Sequence, residues 1–330
     1  MDFENIFGNK PLISLMAGHI RNHSLSHAYI IEGPEGSGKR TIVKEICKAI
    51  YCSSSDSSLP CNTCKDCKRT ENGYNTDIYR LSLNDKASIS VNDVREMTDT
   101  LGYYPDDGNV KVYIIEDCEK MTPQAQNALL LSLEEPPSYV VFFLLTTDSS
   151  ALLETVRSRS QTLKTQIFSI EETANWLRAQ NAAKNTDESS INTASAISRG
   201  SLGKALTAIS KKESKNASMA SNAKTFVELL CSGSRSDAIV FAAGIKYSRA
   251  EFEQFFDYAI FAIRDILACK YKNPRTTFYG NIENARELSN KMQITKITAI
   301  YDSLVSAKED ITKNNGHICT VMTTLAASAG

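Results

Sequence analysis

The chain has 330 residues, enough for two to three domains at about 150 residues each and for several buried cores. Hydrophobic residues are 42% and charged residues 23%, which excludes wholesale disorder, and no apolar run approaches the ~20 residues that span a bilayer. Lys+Arg is 37 against Asp+Glu 38, a net charge of −1, which argues against a strongly basic nucleic-acid binder.

The charge is divided unevenly. Residues 1–210 hold 21 basic and 26 acidic residues (−5), and residues 211–330 hold 16 and 12 (+4). The tilt is mild, compatible with weak DNA contact and no argument for it. Met1-Asp2-Phe3-Glu4 lacks the basic and apolar regions of a signal peptide. A cytoplasmic chain with no membrane partner is expected. Five of the nine cysteines, Cys47, Cys52, Cys61, Cys64 and Cys67, fall within 21 residues. In a reducing compartment such clustering points to metal rather than disulfides.

The histidines His19, His23 and His27 recur at i, i+4, i+8. On one continuous helix they would share a metal, but Ser24–Ser26 ends any such helix, and no zincin carboxylate completes the pattern. Surface histidines, with one packed beside a strand, are the expectation. Ala28–Ile31 reads as a buried strand. Ile42, Val43, Ile46, Cys47 and Ile50 then recur at helical spacing. Between the two lies Gly33-Pro-Glu-Gly36-Ser37-Gly38-Lys39-Arg40-Thr41. This fits the phosphate-binding pattern G-x4-G-K in its required context of strand, loop and helix. Backbone N–H groups and the positive helix end cradle phosphates, and Lys39 would reach the β/γ-phosphates of ATP or ADP. The position after Lys39 normally holds Ser or Thr for Mg²⁺, and here it is Arg40. Thr41 does not repair this, because one helical step rotates a side chain by ~100°. Nucleotide occupancy stays open, and Mg²⁺ is in doubt.

Ser53–Pro60 is a polar loop. Cys52-x8-Cys61-x2-Cys64-x2-Cys67 spans it. Four thiolates at these spacings surround one Zn²⁺ tetrahedrally and leave no open coordination position, so the role is structural. At nine cysteines in 330 residues, three more at fixed offsets arise by chance on the order of 10⁻⁵ per starting point. Other metals at these thiolates stay open. Cys47 belongs to the apolar stripe of the preceding helix. Cys118, Cys231, Cys269 and Cys319 lack ligand spacing and are expected in the core or as surface thiols.

Ile78–Leu83 is a second strand, and Val91–Leu101 a helix capped by Ser90 or Asn92. Val110–Ile115 and Tyr139–Leu145 are strands rich in β-branched and aromatic residues, as central parallel strands are. The first of these ends in Glu116-Asp117. That resembles a Walker B segment, in which the usual order is Asp for the metal, then Glu for water activation. Here the order is reversed, and a ~1 Å misplacement can cost ~100-fold in catalysis. Thr122-Pro123 starts a helix striped by Ala128, Leu129, Leu130 and Leu133, and Pro136-Pro137 stops it. Strands alternating with helices imply a parallel α/β sheet. Thr155-Val-Arg157-Ser158-Arg159-Ser160 follows the fourth strand and its loop. An arginine here can reach a neighbouring subunit's γ-phosphate or simply face solvent.

Beyond residue 165 the strand signals fade. Ile170–Arg178, Ser190–Ile197 and Leu202–Ile209 read as short helices, Lys211–Asn222 as a linker or an exposed helix start. Phe252–Leu267, Ile294–Val305 and Ile318–Leu325 carry helical apolar spacing. The aromatic residues of this last third sit at helical spacing and are expected in the core.

Together these segments resemble the AAA+ clamp-loader subunits of bacterial replicative DNA polymerase III, over about residues 3–209. The resemblance rests on Ser26-His27-Ala28-Tyr29, the phosphate loop, the inserted four-cysteine module and Val91-Asn-Asp-Val94-Arg95. It continues through Lys111-Val-Tyr-Ile-Ile115, Ala125-Gln-Asn-Ala128-Leu-Leu130 and Leu133-Glu-Glu-Pro-Pro137. It implies Thr147, after Thr146, as sensor 1 and Ser158-Arg159-Ser160 in place of the family's Ser-Arg-Cys finger. It implies Lys204, in Gly200-Ser-Leu-Gly203-Lys204-Ala205, at the sensor 2 position, where arginine is usual. The fold implied is a RecA-like α/β AAA+ domain bearing the zinc module (1–164, module 52–67), a helical lid (165–210) and an all-α collar that oligomerises (211–330). Asn314-Asn315 before an apolar helix looks like the end of that collar.

Arg40, the Glu116-Asp117 order, Lys204 and the length favour the delta-prime branch over the motor branch. The role implied is a stator in a hetero-pentamer with motor (gamma/tau) and delta subunits, loading a sliding clamp onto primed DNA for the DNA-directed polymerase. Arg159 would serve a motor subunit's ATP in trans, with Arg157 open as an alternative, and the chain's own ATPase would be weak or absent. Two alternatives stand: an active ATPase motor, and a zinc-bearing DNA-binding module.

Overall fold

The computed structural model describes residues 3, 5–54, 59–83, 86–106, 109–180, 186, 188–210, 213–271, 278–279, 282–312 and 316–328. The chain folds into two compact units, residues 1–167 and 168–330. Lys211, Asn314-Asn315 and residues 55–58 of the polar loop lie outside the described residues.

The first unit is built on five strands: β1 (Ala28–Glu32), β2 (Ile78–Leu81), β3 (Lys111–Ile115), β4 (Val140–Thr146) and β5 (Gln161–Lys164). They form one sheet in the order β2-β3-β4-β1-β5. Every neighbouring pair is parallel, with Tyr29 facing Phe143 on one side and Gln161 on the other. All of β3 and β4 is buried, as continuous apolar runs require when helices cover both faces.

The strand period of two divides these residues between two cores. Tyr29, Ile31, Val112, Ile114, Phe143 and Leu145 pack with Met16 of α1 (Lys10–Arg21) and with Ile42, Val43 and Ile46 of α2 (Lys39–Tyr51). Ile30, Tyr113, Ile115, Phe142 and Leu144 pack with Val94 and Met97 of α4 (Val91–Thr98) and Leu129 and Leu133 of α5 (Pro123–Glu134). A short helix α3 (Lys65–Glu71) follows α2, and α6 (Glu154–Ser158) precedes β5.

Local signals set the helix ends. Ser90, rather than Asn92, caps α4. Its side chain accepts from the Asp93 N–H, and the Asp93 carboxylate accepts from the Ser90 N–H, which is a capping box. Thr122 caps α5 with Pro123 in its first turn. Lys111 is buried at the start of β3, and its amine donates to the carbonyls of Thr100 (3.2 Å) and Tyr103 (2.9 Å). The edge strand β5 was not expected from the sequence. Only Leu163 of its four residues is buried, so it lacks the apolar run that marks a strand, and its ladder to β1 recruits it.

The sheet order positions the site. From β1 the chain crosses to the far edge at β2, returns through β3 and β4, then passes β1 to reach β5. This reversal beside β1 is where open α/β sheets form a crevice at the strands' carboxyl ends.

The second unit is helical throughout its described residues. Helices α7 (Ile170–Ala179), α8 (Glu188–Ile197) and α9 (Leu202–Ser210) enclose a small core of Ala174, Leu177, Ile191, Ala194, Ala205 and Ile209. A separate, larger core involves α10 (Glu213–Ser232), α11 (Arg235–Gly244), α12 (Arg249–Ala268), α13 (Ile282–Asn290), α14 (Ile294–Thr312) and α15 (Ile318–Ser328). Phe226, Phe255, Phe256, Phe261 and Phe278 are buried there, as expected of core aromatics. Buried Asp265 accepts the N–H groups of Phe278 (2.6 Å) and Tyr279 (3.1 Å). Of the two expectations for the stretch 211–222, linker or exposed helix start, the described residues 213–222 form a helix start. Helix α10 begins at Glu213, and Met219 and Ala220 are buried in the core, because two apolar residues in a polar run suffice to dock one face.

Candidate functional site

Helix α2 carries a candidate site at each end. At its start, Gly36 (φ 74°) and Gly38 (φ 88°) turn the loop through left-handed backbone, which glycine adopts at no steric cost. Gly33 is required for a different reason. A Cβ there would lie 1.8 Å from the Thr165 hydroxyl and 2.8 Å from that of Ser37. Both hydroxyls are buried and lack a hydrogen-bond partner. The Lys39 amine folds over its own loop, donating to the carbonyls of Gly33 (2.5 Å) and Pro34 (3.1 Å). Burial pulls that amine below its ordinary pKa, with Glu119, Asp117 and Glu35 pulling the other way. Thr41 occupies an exposed position one step beyond Arg40.

The carboxyl end of β3 delivers the acidic partners. Arg40 Nη2 lies 2.8 Å from Glu116 Oε2 and 3.4 Å from Asp117 Oδ2. One guanidinium thus bridges both acids of the Walker B-like pair. Asp117 itself adopts positive φ (50°) and leads into a 3-10 turn, Cys118–Lys120. That turn presents Glu119, which sequence reasoning missed. Its Oε1 accepts from the Thr147 hydroxyl at 2.7 Å. Burial pushes the Glu119 carboxyl up, but hydrogen bonds from Thr147, its own N–H and Thr146 outweigh this and hold it below the usual range. Only its distance from the Ile-Glu-Asp segment, two residues past Asp117, could have flagged it.

The fold therefore gathers Lys39, Arg40, Glu116, Asp117, Glu119 and Thr147 beside the loop. Arg159 is elsewhere, just past α6. Its guanidinium meets Glu134 Oε1 at 2.9 Å and the Thr155 carbonyl at 3.1 Å. Arg157 is exposed on α6. Lys204 lies on α9 in the second unit.

At the other end of α2, Cys52 is the C-cap residue. The sulfurs of Cys52, Cys61, Cys64 and Cys67 all lie within 4.8 Å of one another, with Cys61 and Cys67 4.0 Å apart. A tetrahedral zinc with ~2.3 Å bonds needs sulfurs ~3.8 Å apart, so the donor set fits zinc. Backbone N–H groups point at the sulfurs: Cys61 to Cys52 (3.5 Å), Cys64 to Cys61 (3.4 Å) and Cys67 to Cys64 (3.3 Å). These donors favour thiolate. The Thr63 hydroxyl and Cys64 N–H bring Cys61 down to about 6, while burial pushes Cys67 up.

The module is tied to α2 by charge. The buried Lys48 amine lies 2.7 Å from Glu45 Oε1 and 3.0 Å from Glu71 Oε2. Burial alone would lower its pKa, but both carboxylates raise it above its usual value.

The histidines do not assemble. His19 Nδ1 bonds the Tyr29 hydroxyl at 2.8 Å, and the four cysteines are the only group with metal-ligand proximity among the described residues. Cys47, Cys118 and Cys231 are buried. A cavity of about 980 Å³ at the opposite end of the sheet is lined by Tyr51, Cys52, His27 and Arg69, and none of the phosphate-loop residues line it. No helix among the described residues is long and apolar enough to cross a membrane.

Comparison with known proteins matches residues 8–169 to the family described as "DNA polymerase III, delta subunit". The DNA polymerase III subunit gamma of Buchnera aphidicola subsp. Schizaphis graminum is 32% identical over 206 residues, 62% of this chain and 56% of that protein. The tau/gamma subunit of Haemophilus influenzae is 34% identical over 157 residues, covering 48% and 22%. The gamma/tau subunit of Mycoplasma pneumoniae is 30% identical over 231 residues, covering 68% and 33%. The chain thus spans about half the length of the first of these relatives and less of the other two.

Proposed function

We propose that this chain, whose first half is an AAA+ domain of the DNA polymerase III clamp-loader family, is a delta-prime-like subunit of that loader. It acts as a stator in DNA replication: it holds its place in a hetero-pentamer of motor and delta subunits while the assembly loads a sliding clamp onto primed DNA. The observation that carries this reading is the Arg40 bridge to Glu116 and Asp117. In a hydrolysing site these carboxylates hold the metal and orient the attacking water. Here a guanidinium engages one oxygen of each, so a metal or water would have to compete with it.

Arg159 is the residue this reading sends to a neighbouring subunit's ATP. Its contacts with Glu134 and the Thr155 carbonyl present a fixed cation, and an arginine supplied in trans stabilises the charge of phosphoryl transfer. The four cysteines hold zinc as a structural pin. Residues 1–164, 165–210 and 211–330 serve as nucleotide-fold domain, lid bearing Lys204, and collar. The separate cores of α7–α9 and α10–α15 support that division.

A second reading is favoured by the relatives, which are named gamma and tau subunits: an ATP-hydrolysing motor. ATP turnover by the purified chain with Mg²⁺ decides between them. The stator reading expects none. Turnover that disappears in Lys39→Ala would establish the motor reading instead.

A further inference from the structure

The phosphate loop, taken as the nucleotide-loop domain proposed above, implies a magnesium ion as well as a nucleotide. The residues present do not fit that ion. Mg²⁺ demands near-octahedral oxygen ligands at ~2.0–2.1 Å, supplied by carboxylates, phosphate oxygens and water. The side chain that should add a hydroxyl is Arg40, a cation. Its Nη2 already sits 2.8 Å from Glu116 Oε2 and 3.4 Å from Asp117 Oδ2. An incoming divalent ion would have to expel a guanidinium from the carboxylates it needs, against like-charge repulsion.

The loop nevertheless keeps the parts that hold phosphate. Gly36 and Gly38 take the left-handed conformations of a tight loop at the start of α2. Lys39 keeps its amine at the loop, bonded to the Gly33 and Pro34 carbonyls. Ser37 is 3% exposed and Thr165 8%, and their hydroxyls flank Gly33 without a hydrogen-bond partner. Leaving such groups unpaired carries their full desolvation penalty, so two buried polar atoms beside the loop point to a polar ligand there.

Arg40 is two-thirds exposed, and its acids engage Nη2, so Nε and Nη1 keep donors for a phosphate oxygen. A guanidinium presents such donors as a rigid fork.

We propose that Arg40 replaces the divalent cation of this loop, so that the chain binds a nucleoside di- or triphosphate without magnesium and holds it unhydrolysed. The proposal rests on the loop being a nucleotide site and is independent of Arg159 and of the stator role.

The test is titration calorimetry of the full chain with ADP and with ATP, each in Mg²⁺ and in EDTA. The expected result is saturable binding whose Kd differs by less than threefold between the two buffers, and its loss in Lys39→Ala. Arg40→Ser should weaken binding tenfold or more in EDTA, and Arg40→Ser with Glu116→Asp and Asp117→Glu should make binding depend on Mg²⁺ by tenfold or more. Wild-type binding that needs Mg²⁺ by tenfold, or no saturable binding of either nucleotide in either buffer, overturns the proposal. The comparison of buffers needs no variant, so it does not depend on how a substituted chain folds. A fully active loader carrying Arg159→Ala would defeat the stator reading and leave this one standing.

Discussion

The two ends of helix α2 differ in how completely they keep the chemistry their motifs announce. At the C-terminal end all four thiol ligands are present, gathered within 4.8 Å, and backbone N–H groups are already aimed at their sulfurs. At the N-terminal end the loop keeps its glycines and lysine, but an internal ion pair joins Arg40 to Glu116 and Asp117, and on the reading proposed above it takes the place of a metal. A structural site must keep every ligand, because each carries part of the folding free energy. A catalytic site can lose its reactive groups while the loop that supports it persists, because backbone turns and packing hold that loop regardless of chemistry.

Substitutions at the two ends, and others away from them, break or sharpen this contrast. The largest effect is expected away from both ends of the helix. On the stator reading proposed above, Arg159→Ala should leave the thermal unfolding of the isolated chain unchanged and depress ATP hydrolysis of the assembled loader by roughly 10³-fold, the scale of a lost arginine finger. Steady-state ATPase of reconstituted complexes checks it.

At the cysteine end, Cys64→Ser should reduce bound zinc from one per chain to none by metal analysis. It should lower Tm by roughly 5–10 °C, the shift expected for a loss of about 2–3 kcal/mol in a unit of this size. Lys48→Ala should cost about 3 kcal/mol. It removes the cationic partner of Glu45, whose side chain is 2% exposed and keeps only the Asn5 amide at 3.2 Å, and loosens the module from α2. Denaturant unfolding reads this loss.

At the loop end, Gly33→Ala forces a Cβ onto the Thr165 hydroxyl and should cost about 1–3 kcal/mol by overpacking. Thr165→Ala in the same chain should restore most of it, and thermal melts of the single and double variants measure the coupling.

The smallest effect lies outside the comparison, as a control on ordinary helix stability. Ser90→Ala should cost about 1 kcal/mol as a lost cap. The partner carboxyl, Asp93, is held down to about 2 by Lys86 and Ser90. Its folded-state value is thus below its unfolded one, so its contribution is fully present above about pH 4. It is lost as pH falls from about 4 to about 2, and acid unfolding of wild type against Asp93→Asn should show that window.

Much of the first unit was legible in its residues. The apolar runs of β1, β3 and β4 announce themselves because strands buried on both faces need no polar alternation. Strand β5 escaped because Gln161–Lys164 buries one side chain and owes its conformation to pairing with β1. The start of α10 was left between linker and exposed helix start for a related reason. Its composition is that of a loop, and the burial of Met219 and Ala220 depends on helices far along the chain. The bond of Glu119 to Thr147 had no local signal, since the two residues are 28 positions apart; only the place of Glu119 two residues past Asp117 hinted at it.

The sequence by itself determined the parallel α/β core, the phosphate loop and the four-cysteine set, since each depends on residue types at short, fixed spacing. Only the tertiary structure decided that Arg40 meets Glu116 and Asp117. That contact joins positions 76 and 77 residues apart, and it exists because the parallel pairing of β1 and β3 with β4 puts their carboxyl ends on the same side of the sheet.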